Sequence, residues 1–287
     1  MKKSKSHLGD LVQKFALAVA GLLVAAAQAT AASYEWTFNN GDLSASLGGG
    51  IMSYADGATP GLTTFGTTGG GVPNIGGQAA NYIHVPGFTA AANGYKLELA
   101  NSGPNGGGSY INNYTLVFDV MIPSPWPLDY IVPFFNTNPD NVNDGDFYLY
   151  GDGEIGIGAN GYSAAGVVSP DTWTRIAFVN NGTSLSYYVN GSFVGSQGTG
   201  VGVDGRWSLT SNLDSGADVL LFNEPTGLYT HELYLNSLAF VDHAMSASEL
   251  SGLGGPNAAG ILVPEPGTLS LLLLGVGAVV WRSRRQK

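Results

Sequence analysis

The sequence predicts an all-β fold, a sandwich of two antiparallel sheets, and three observations support this prediction. No helical period of useful length occurs between Tyr34 and Asp242, where short β-rich runs alternate with Asn, Gly, Asp and Pro. Asn-Gly dipeptides separate several of these runs. A helix signal comes only at 246–249, where Ser-Ala-Ser-Glu has the spacing of a capping box. Many short strands followed by one late helix are typical of a two-sheet β-sandwich.

The strands can be assigned in chain order. Residues 115–122 predict a strand that Pro123 ends, and 147–150 with 154–157 predict a hairpin around Gly-Asp-Gly. Residues 173–194 predict a three-stranded meander. Its two turns are Asn181-Gly182 and Asn190-Gly191, because Asn-Gly suits turns that need positive φ. Residues 232–241 predict a later, long strand.

Two segments carry a family resemblance. The first is a strand–turn pattern made of Trp173-x-Arg175-Ile176-Ala177 and Leu185-x-Tyr187-Tyr188-Val189-Asn190-Gly191. The second is a closing strand, Asn236-Ser237-Leu238-Ala239-Phe240, followed by the helix start after His243. Over about residues 33–253 the chain resembles laminin-G-like, concanavalin A-like domains. The resemblance implies an antiparallel jelly-roll sandwich, which we expect at 33–255, followed by a linker at 256–262. Because the matched residues are mostly scaffold, the resemblance implies a fold more than a function.

The N-terminal segment is typical of a secretory signal peptide, predicted at 1–31. Four lysines stand against one acid before a 13-residue apolar run at 15–27, and small residues follow. We expect cleavage after Ala29 or Ala31. The alternative is a membrane anchor, although a spanning helix needs about 20 apolar residues.

The last 25 residues, 263–287, have three parts in series. Val263-Pro264-Glu265-Pro266 precedes an apolar run at 269–281, and arginines follow Trp281. From the residues alone this is either a weak transmembrane anchor or a sorting tag. The segment 263–287 resembles the PEP-CTERM sorting signal. The resemblance implies an exosortase substrate of a Gram-negative, exopolysaccharide-producing bacterium. Such a chain passes the secretion translocon, resides transiently in the inner membrane, and reaches the cell surface or extracellular matrix.

Charge and composition exclude several classes of partner. Between residues 33 and 263 only Lys96, Arg175 and Arg206 are basic, against 19 acidic residues. Such a surface repels phosphates, so we expect no nucleic acid partner. The chain contains no cysteine, which excludes disulfides and thiol chemistry.

We find no recognisable catalytic constellation and therefore predict no catalytic residues. No glutamate begins a Glu-x-Asp-x-Glu pattern, and no Gly-x-Ser-x-Gly occurs. The prediction is a non-catalytic protein that binds or structures extracellular polysaccharide. The alternatives are a glycoside hydrolase or polysaccharide lyase with dispersed catalytic residues, and an inert structural or adhesive protein.

Candidate binding residues are few. Asp140, Asp144 and Asp146 lie in an oxygen-rich run that suits Ca²⁺, although Val142 occupies a ligand position of the helical calcium loop; the alternative is a solvated turn. No other cofactor is predicted. For stacking on a sugar we predict Trp126 and Trp207, with Tyr148, Tyr150 and Tyr162 among the other available aromatic residues.

Overall fold

A computed structural model describes most of the chain after the predicted signal peptide. The described residues are 33–99, 102–126, 131–137, 144–157, 161–198, 200–209, 219–224, 226–227 and 231–262. They form two antiparallel sheets, which confirms the predicted two-sheet sandwich.

The first sheet has eight strands within these residues. They are β1 (Ser33–Trp36), β3 (Thr64–Thr67), β4 (Asn81–Val85), β6 (Asn113–Met121), β11 (Thr174–Asn181), β12 (Leu185–Val189), β13 (Ser192–Gln197) and β15 (Leu233–Val241). The second sheet has seven, namely β2 (Ile51–Tyr54), β5 (Tyr95–Glu98), β7 (Ile131–Asn136), β8 (Asp146–Tyr150), β9 (Ile155–Ile157), β10 (Gly161–Tyr162) and β14 (Val219–Leu221). Two short helices, α1 (Thr59–Leu62) and α2 (Ala247–Leu253), complete the described elements.

The strand orders place β6 and β15 in the middle of one sheet and β7 in the middle of the other. The eight-stranded sheet runs β13-β12-β11-β6-β15-β4-β3, with β1 also paired to β15. The seven-stranded sheet runs β10-β9-β8-β7-β14-β5-β2.

The core lies between the two sheets and is rich in phenylalanine. Phe118 on β6 lies 5.4 Å from Phe134 on β7, and Phe178 on β11 lies 5.1 Å from Phe147 on β8, between ring centroids. All four side chains are fully buried. Such aromatic pairs contribute about 0.5–1.5 kcal/mol each beyond their burial, so they hold the two sheets together across the sandwich.

The local predictions for strands, turns and helix are confirmed. The predicted meander is β11, β12 and β13, and its second turn has positive φ at Asn190 (49°) and Gly191 (77°). The capping box before α2 is complete, because the Ser246 hydroxyl accepts from Glu249 N while the Glu249 carboxylate accepts from Ser246 N.

We call residues 254–262 the C-terminal segment. The sequence predicts a linker at residues 256–262, but these residues are part of the folded domain. The segment packs on the outer face of the eight-stranded sheet, where Ile261 is 3% exposed. The Glu35 carboxylate on β1 accepts hydrogen bonds from Ile261 N (2.5 Å) and Leu262 N (3.1 Å). The folded domain therefore extends to Leu262.

A buried ion pair lies beneath this segment. Arg175 donates from Nε and Nη2 to the two oxygens of Asp119, both at 2.7 Å, and from Nη1 to the Leu253 carbonyl at 2.6 Å. Arg175 and Asp119 are 3% and 0% exposed. The bond to Leu253 joins β6 and β11 to the end of α2, and a further bond from Arg175 Nη2 to the Gly260 carbonyl (3.4 Å) joins them to the C-terminal segment.

The predicted membrane-seeking segments lie outside the described residues, as does the linear sorting motif at 263–266. Among the residues that the structure does describe, no helix is long and apolar enough to cross a membrane.

Candidate functional site

The two outer faces of the sandwich differ in how they are covered. On the eight-stranded sheet, α2 and the C-terminal segment pack over Val117, Ala177 and Ala239. On the seven-stranded sheet, the outward side chains of β8 stay partly exposed while Phe147 and Leu149 between them are buried. The outward side chains of β8 are therefore accessible to a ligand.

Three tyrosines share this face near one edge of the sheet. Tyr148 is paired with Gly156, and Gly156 is paired with Tyr162, so both tyrosines point to the same side. Tyr150 follows two residues after Tyr148, and its ring centroid lies 5.2 Å from that of Tyr162. We call Tyr148, Tyr150 and Tyr162 the tyrosine platform.

Glycine at position 156 is needed for this arrangement. A Cβ there would lie 2.5 Å from the Gly161 carbonyl oxygen and 3.1 Å from Cδ1 of Tyr162. Because real Cβ atoms do not approach backbone that closely, any larger residue would push β10 and the Tyr162 ring away from β9.

Acidic side chains adjoin the tyrosine platform. The Asn136 amide donates to Asp144 Oδ2 and Asp146 Oδ1, both at 2.5 Å. The Tyr148 hydroxyl is hydrogen-bonded to Asp146, and Glu224 lies close enough to act on Asp146 by its charge. Glu224 is itself held by Thr226, whose N–H and hydroxyl donate to its carboxylate at 2.8 and 2.5 Å.

These neighbours change the acidity of Asp146. Burial first, and then the charge of Asp144, raise the pKa of Asp146 to about 6, although hydrogen bonds from Asn136 and Tyr148 act in the opposite direction. Burial also raises the pKa of the Tyr148 hydroxyl. The surface thus offers aromatic rings for stacking beside the partly exposed carboxylate of Asp146, which can accept hydrogen bonds from hydroxyl or ammonium groups. Asp144 and Glu224 are buried, at 7% and 4% exposed, and add negative charge nearby.

The predicted calcium ligands are only partly described. Asp140 lies outside the described residues, whereas Asp144 and Asp146 are brought together by Asn136. Within the described ranges, no group of three His, Cys, Asp or Glu side chains is arranged to hold a metal ion. Two adjacent carboxylates suit the chemistry of Ca²⁺, so calcium binding stays a prediction.

The two predicted tryptophans have different positions. Trp207 is fully buried, with its ring centroid 5.5 Å from that of Phe178, so the prediction that it stacks on a sugar is wrong. The loop that carries Trp207 folds inward, and the Trp207 carbonyl accepts hydrogen bonds from the Tyr114 hydroxyl and the Asn180 amide. Trp126 is partly exposed, next to residues outside the described ranges, and its role stays a prediction.

A shallow depression of about 440 Å³ lies at the far edge of the same sheet. Residues of β2 and of the loop before it line it, including Asp42, Ile51 and Met52. Since β2 and β10 are at opposite edges, it is separate from the tyrosine platform.

A profile of the PEP-CTERM protein-sorting motif matches residues 262–286. The motif indicates an exported protein that is processed by an exosortase, with membrane-associated sorting in Gram-negative bacteria, as the sequence predicted. The match covers only this terminal segment. No curated protein matches the chain.

Several solved structures share features of the fold. Domain 4 of AbnA, a GH43 extracellular arabinanase from Geobacillus stearothermophilus solved with arabinotriose, is 15% identical (TM-score 0.47; 78% of this chain and 97% of that one covered). The botulinum neurotoxin serotype G binding domain is 14% identical (0.46; 77% and 49%), and Trypanosoma rangeli sialidase with the inhibitor DANA is 15% identical (0.43; 67% and 28%). The last two likenesses span less than half of those longer chains. All three TM-scores are below 0.5.

Proposed function

We propose that this exported protein binds extracellular polysaccharide, without catalysis, through the tyrosine platform of a laminin-G-like, concanavalin A-like sandwich. In this proposal the chain crosses the secretion translocon and resides transiently in the inner membrane. After exosortase processing it acts at the cell surface or in the extracellular matrix.

The observation that carries the proposal is the tyrosine platform itself. Tyr148 and Tyr150 project from one rigid strand, and Tyr162 lies beside them across Gly156. Rings fixed on strands can stack on pyranose faces with little loss of conformational entropy. Asp146, hydrogen-bonded to Tyr148, can accept hydrogen bonds from sugar hydroxyls at the edge of the same surface.

Charge narrows the class of polysaccharide. The domain carries 19 acidic and three basic residues, and the carboxylates of Asp144, Asp146 and Glu224 adjoin the rings. An acidic polymer would be repelled, so the favoured ligand is uncharged or carries amino groups.

The test is calorimetry and affinity electrophoresis with cellulose oligomers, chitosan, alginate and the producer's own exopolysaccharide. We expect Tyr150→Ala/Tyr162→Ala to weaken binding by about tenfold or more, since each aromatic contact contributes about 0.5–1.5 kcal/mol. Phe193→Ala is the matched control, because Phe193 is 57% exposed on β13 of the other sheet. Failure of the wild-type protein to bind any of these glycans would reject the proposal.

One observation favours a second candidate, a carbohydrate-active enzyme. Asp146, with a pKa of about 6 beside Asp144 and Glu224, has the character of a general acid at an aromatic surface. An assay for newly formed reducing ends or unsaturated sugars separates the two candidates. Product release that Asp146→Asn abolishes would establish catalysis, and the binding proposal expects none.

A further inference from the structure

A second aromatic cluster lies on the outer face of the eight-stranded sheet. Tyr234 on β15 is paired with His84 on β4, and their ring centroids are 4.9 Å apart. Tyr82, two residues before His84, meets Tyr234 edge to face at 5.1 Å and 87°. All three side chains are partly exposed. We call Tyr82, His84 and Tyr234 the His84 cluster.

A polar pair extends this cluster. His84 Nε2 lies 3.0 Å from Glu232 Oε2, and the two side chains are 24% and 46% exposed. The pair places a hydrogen-bonding carboxylate at the edge of the rings, as Asp146 does at the tyrosine platform. Rings together with an adjacent carboxylate therefore occur on both outer faces of the sandwich.

The rings of the His84 cluster pack against apolar side chains and against the neighbouring strand β3. Tyr82 and Tyr234 pack against Ile75, Met121 and Trp173, and Trp173 Nε1 donates to the Pro73 carbonyl at 2.7 Å. On β3, Gly66 is opposite Tyr82, and a Cβ at Gly66 would lie 2.6 Å from the Tyr82 hydroxyl oxygen. The rings are thus held by packing before any ligand binds, which reduces the entropy lost on binding.

We propose that the His84 cluster is a second glycan site, which makes the protein bivalent and able to join two polysaccharide chains. The inference rests on the proposed function and adds to it a cross-linking role. The ligand is a polysaccharide that is uncharged or carries amino groups, because Glu232 adjoins the rings and the whole domain is strongly acidic. Since the two sites lie on opposite faces of the sandwich, separate polymer chains can occupy them at once.

The first experiment counts the sites on the exported protein. Calorimetry with cellohexaose and with a glucosamine hexamer should give two sites per chain. Tyr82→Ala/Tyr234→Ala should leave one site of wild-type affinity, as should Tyr150→Ala/Tyr162→Ala, because the altered face should bind about tenfold more weakly. With long chitosan, light scattering should detect large assemblies for the wild-type protein and Phe193→Ala, and none for either double variant.

A second variant tests the site without removing packed rings, whose loss could unfold the protein. Glu232→Gln keeps the rings and their packing, and it should weaken the glucosamine hexamer several-fold while leaving cellohexaose unchanged. Thermal melting of each variant confirms that it is folded.

The outcomes separate the two proposals. A single site that Tyr150→Ala/Tyr162→Ala removes and Tyr82→Ala/Tyr234→Ala leaves intact would overturn bivalency and leave the proposed function standing. No binding by the wild-type protein would overturn both.

Discussion

Replacing Arg175 with methionine should destabilise the domain more than most single substitutions. Arg175 makes two 2.7 Å hydrogen bonds to Asp119, which is fully buried. It also donates to the carbonyls of Leu253 (2.6 Å) and Gly260 (3.4 Å). Methionine fills similar space but supplies no charge and no donor.

The expected cost follows from what remains after the change. Removing one partner of a buried ion pair costs about 3–5 kcal/mol, because the other charge stays buried without compensation. The Leu253 carbonyl also loses a short bond, so we expect about 4–5 kcal/mol in all, against a total stability of about 5–15 kcal/mol for a typical domain.

A second substitution separates charge burial from lost packing. Asp119→Leu in the Arg175→Met background removes the buried carboxylate that has lost its partner. Replacing a whole buried ion pair with apolar residues often leaves the stability of a protein unchanged. The double variant should therefore recover about 2–3 kcal/mol. It should stay less stable than the wild type, since the carbonyls of Leu253 at the end of α2 and of Gly260 in the C-terminal segment still lack their hydrogen bonds from Arg175.

Urea unfolding of the purified protein measures these free energies, and hydrogen exchange at 254–262 measures whether the segment opens first. Arg206→Met is the matched control, because Arg206 is partly exposed and donates from Nε to the Asp144 carbonyl. It should cost only about 1 kcal/mol. An Arg175→Met variant within 1 kcal/mol of wild type, or a double variant less stable than the single, would refute this reasoning.

Three further predictions concern the C-terminal segment and the acidic residues. Gly260→Ala should cost about 1–3 kcal/mol more than Gly254→Ala. Both have positive φ, but a Cβ at 260 meets Glu35 Oε1 at 2.5 Å while one at 254 meets nothing within 4 Å; equal melting temperatures would contradict this. Asp146→Asn, measured with a chelator, should stabilise the protein by about 1–2 kcal/mol at pH 7 after discounting for partial exposure. Because the pKa of Asp146 is raised to about 6, the folded state binds more protons than the unfolded state between about pH 4 and 6. The ionised Asp146 carboxylate therefore lowers the stability of the folded wild type fully above that window and not at all below it. A difference in unfolding free energy between the wild type and Asp146→Asn that does not change with pH would count against the raised pKa. Ca²⁺ at about 1 mM and pH 7 should stabilise the wild type by about 0.4–1.4 kcal/mol if the site binds as weakly as extracellular modules do, and Asp144→Asn/Asp146→Asn should abolish the effect; an unchanged melting temperature would reject the site.

The strands and turns could be predicted because their causes are local. Asn190-Gly191 adopts the positive φ that the dipeptide favours, and Phe147 to Tyr150 alternates as a half-buried strand must. The C-terminal segment could not be predicted in this way. Its Gly, Pro and Asn content is typical of a linker, and its docking depends on Glu35 and Arg175, which are distant in sequence.

The candidate site shows the same division. The spacing of Tyr148 and Tyr150 already puts both on one strand face, but Tyr162 joins them only through the pairing of β9 with β10. Nothing in the sequence connects Glu224 with Asp146, since they meet through the order of β8, β7 and β14. The prediction for Trp207 is wrong because burial of a loop residue depends on the whole fold.

Glu35 connects the two ends of the folded domain. It lies on β1, the first described strand, is 2% exposed, and accepts from the amides of Ile261 and Leu262. Burial raises the pKa of its carboxyl, and these two amide bonds partly offset that rise. The sorting motif begins at residue 262, so the contact that closes the domain is made at the first residue of the motif. Because this contact joins residues more than 220 positions apart in the sequence, it belongs to the non-local part of the fold and forms only when both ends of the domain are present.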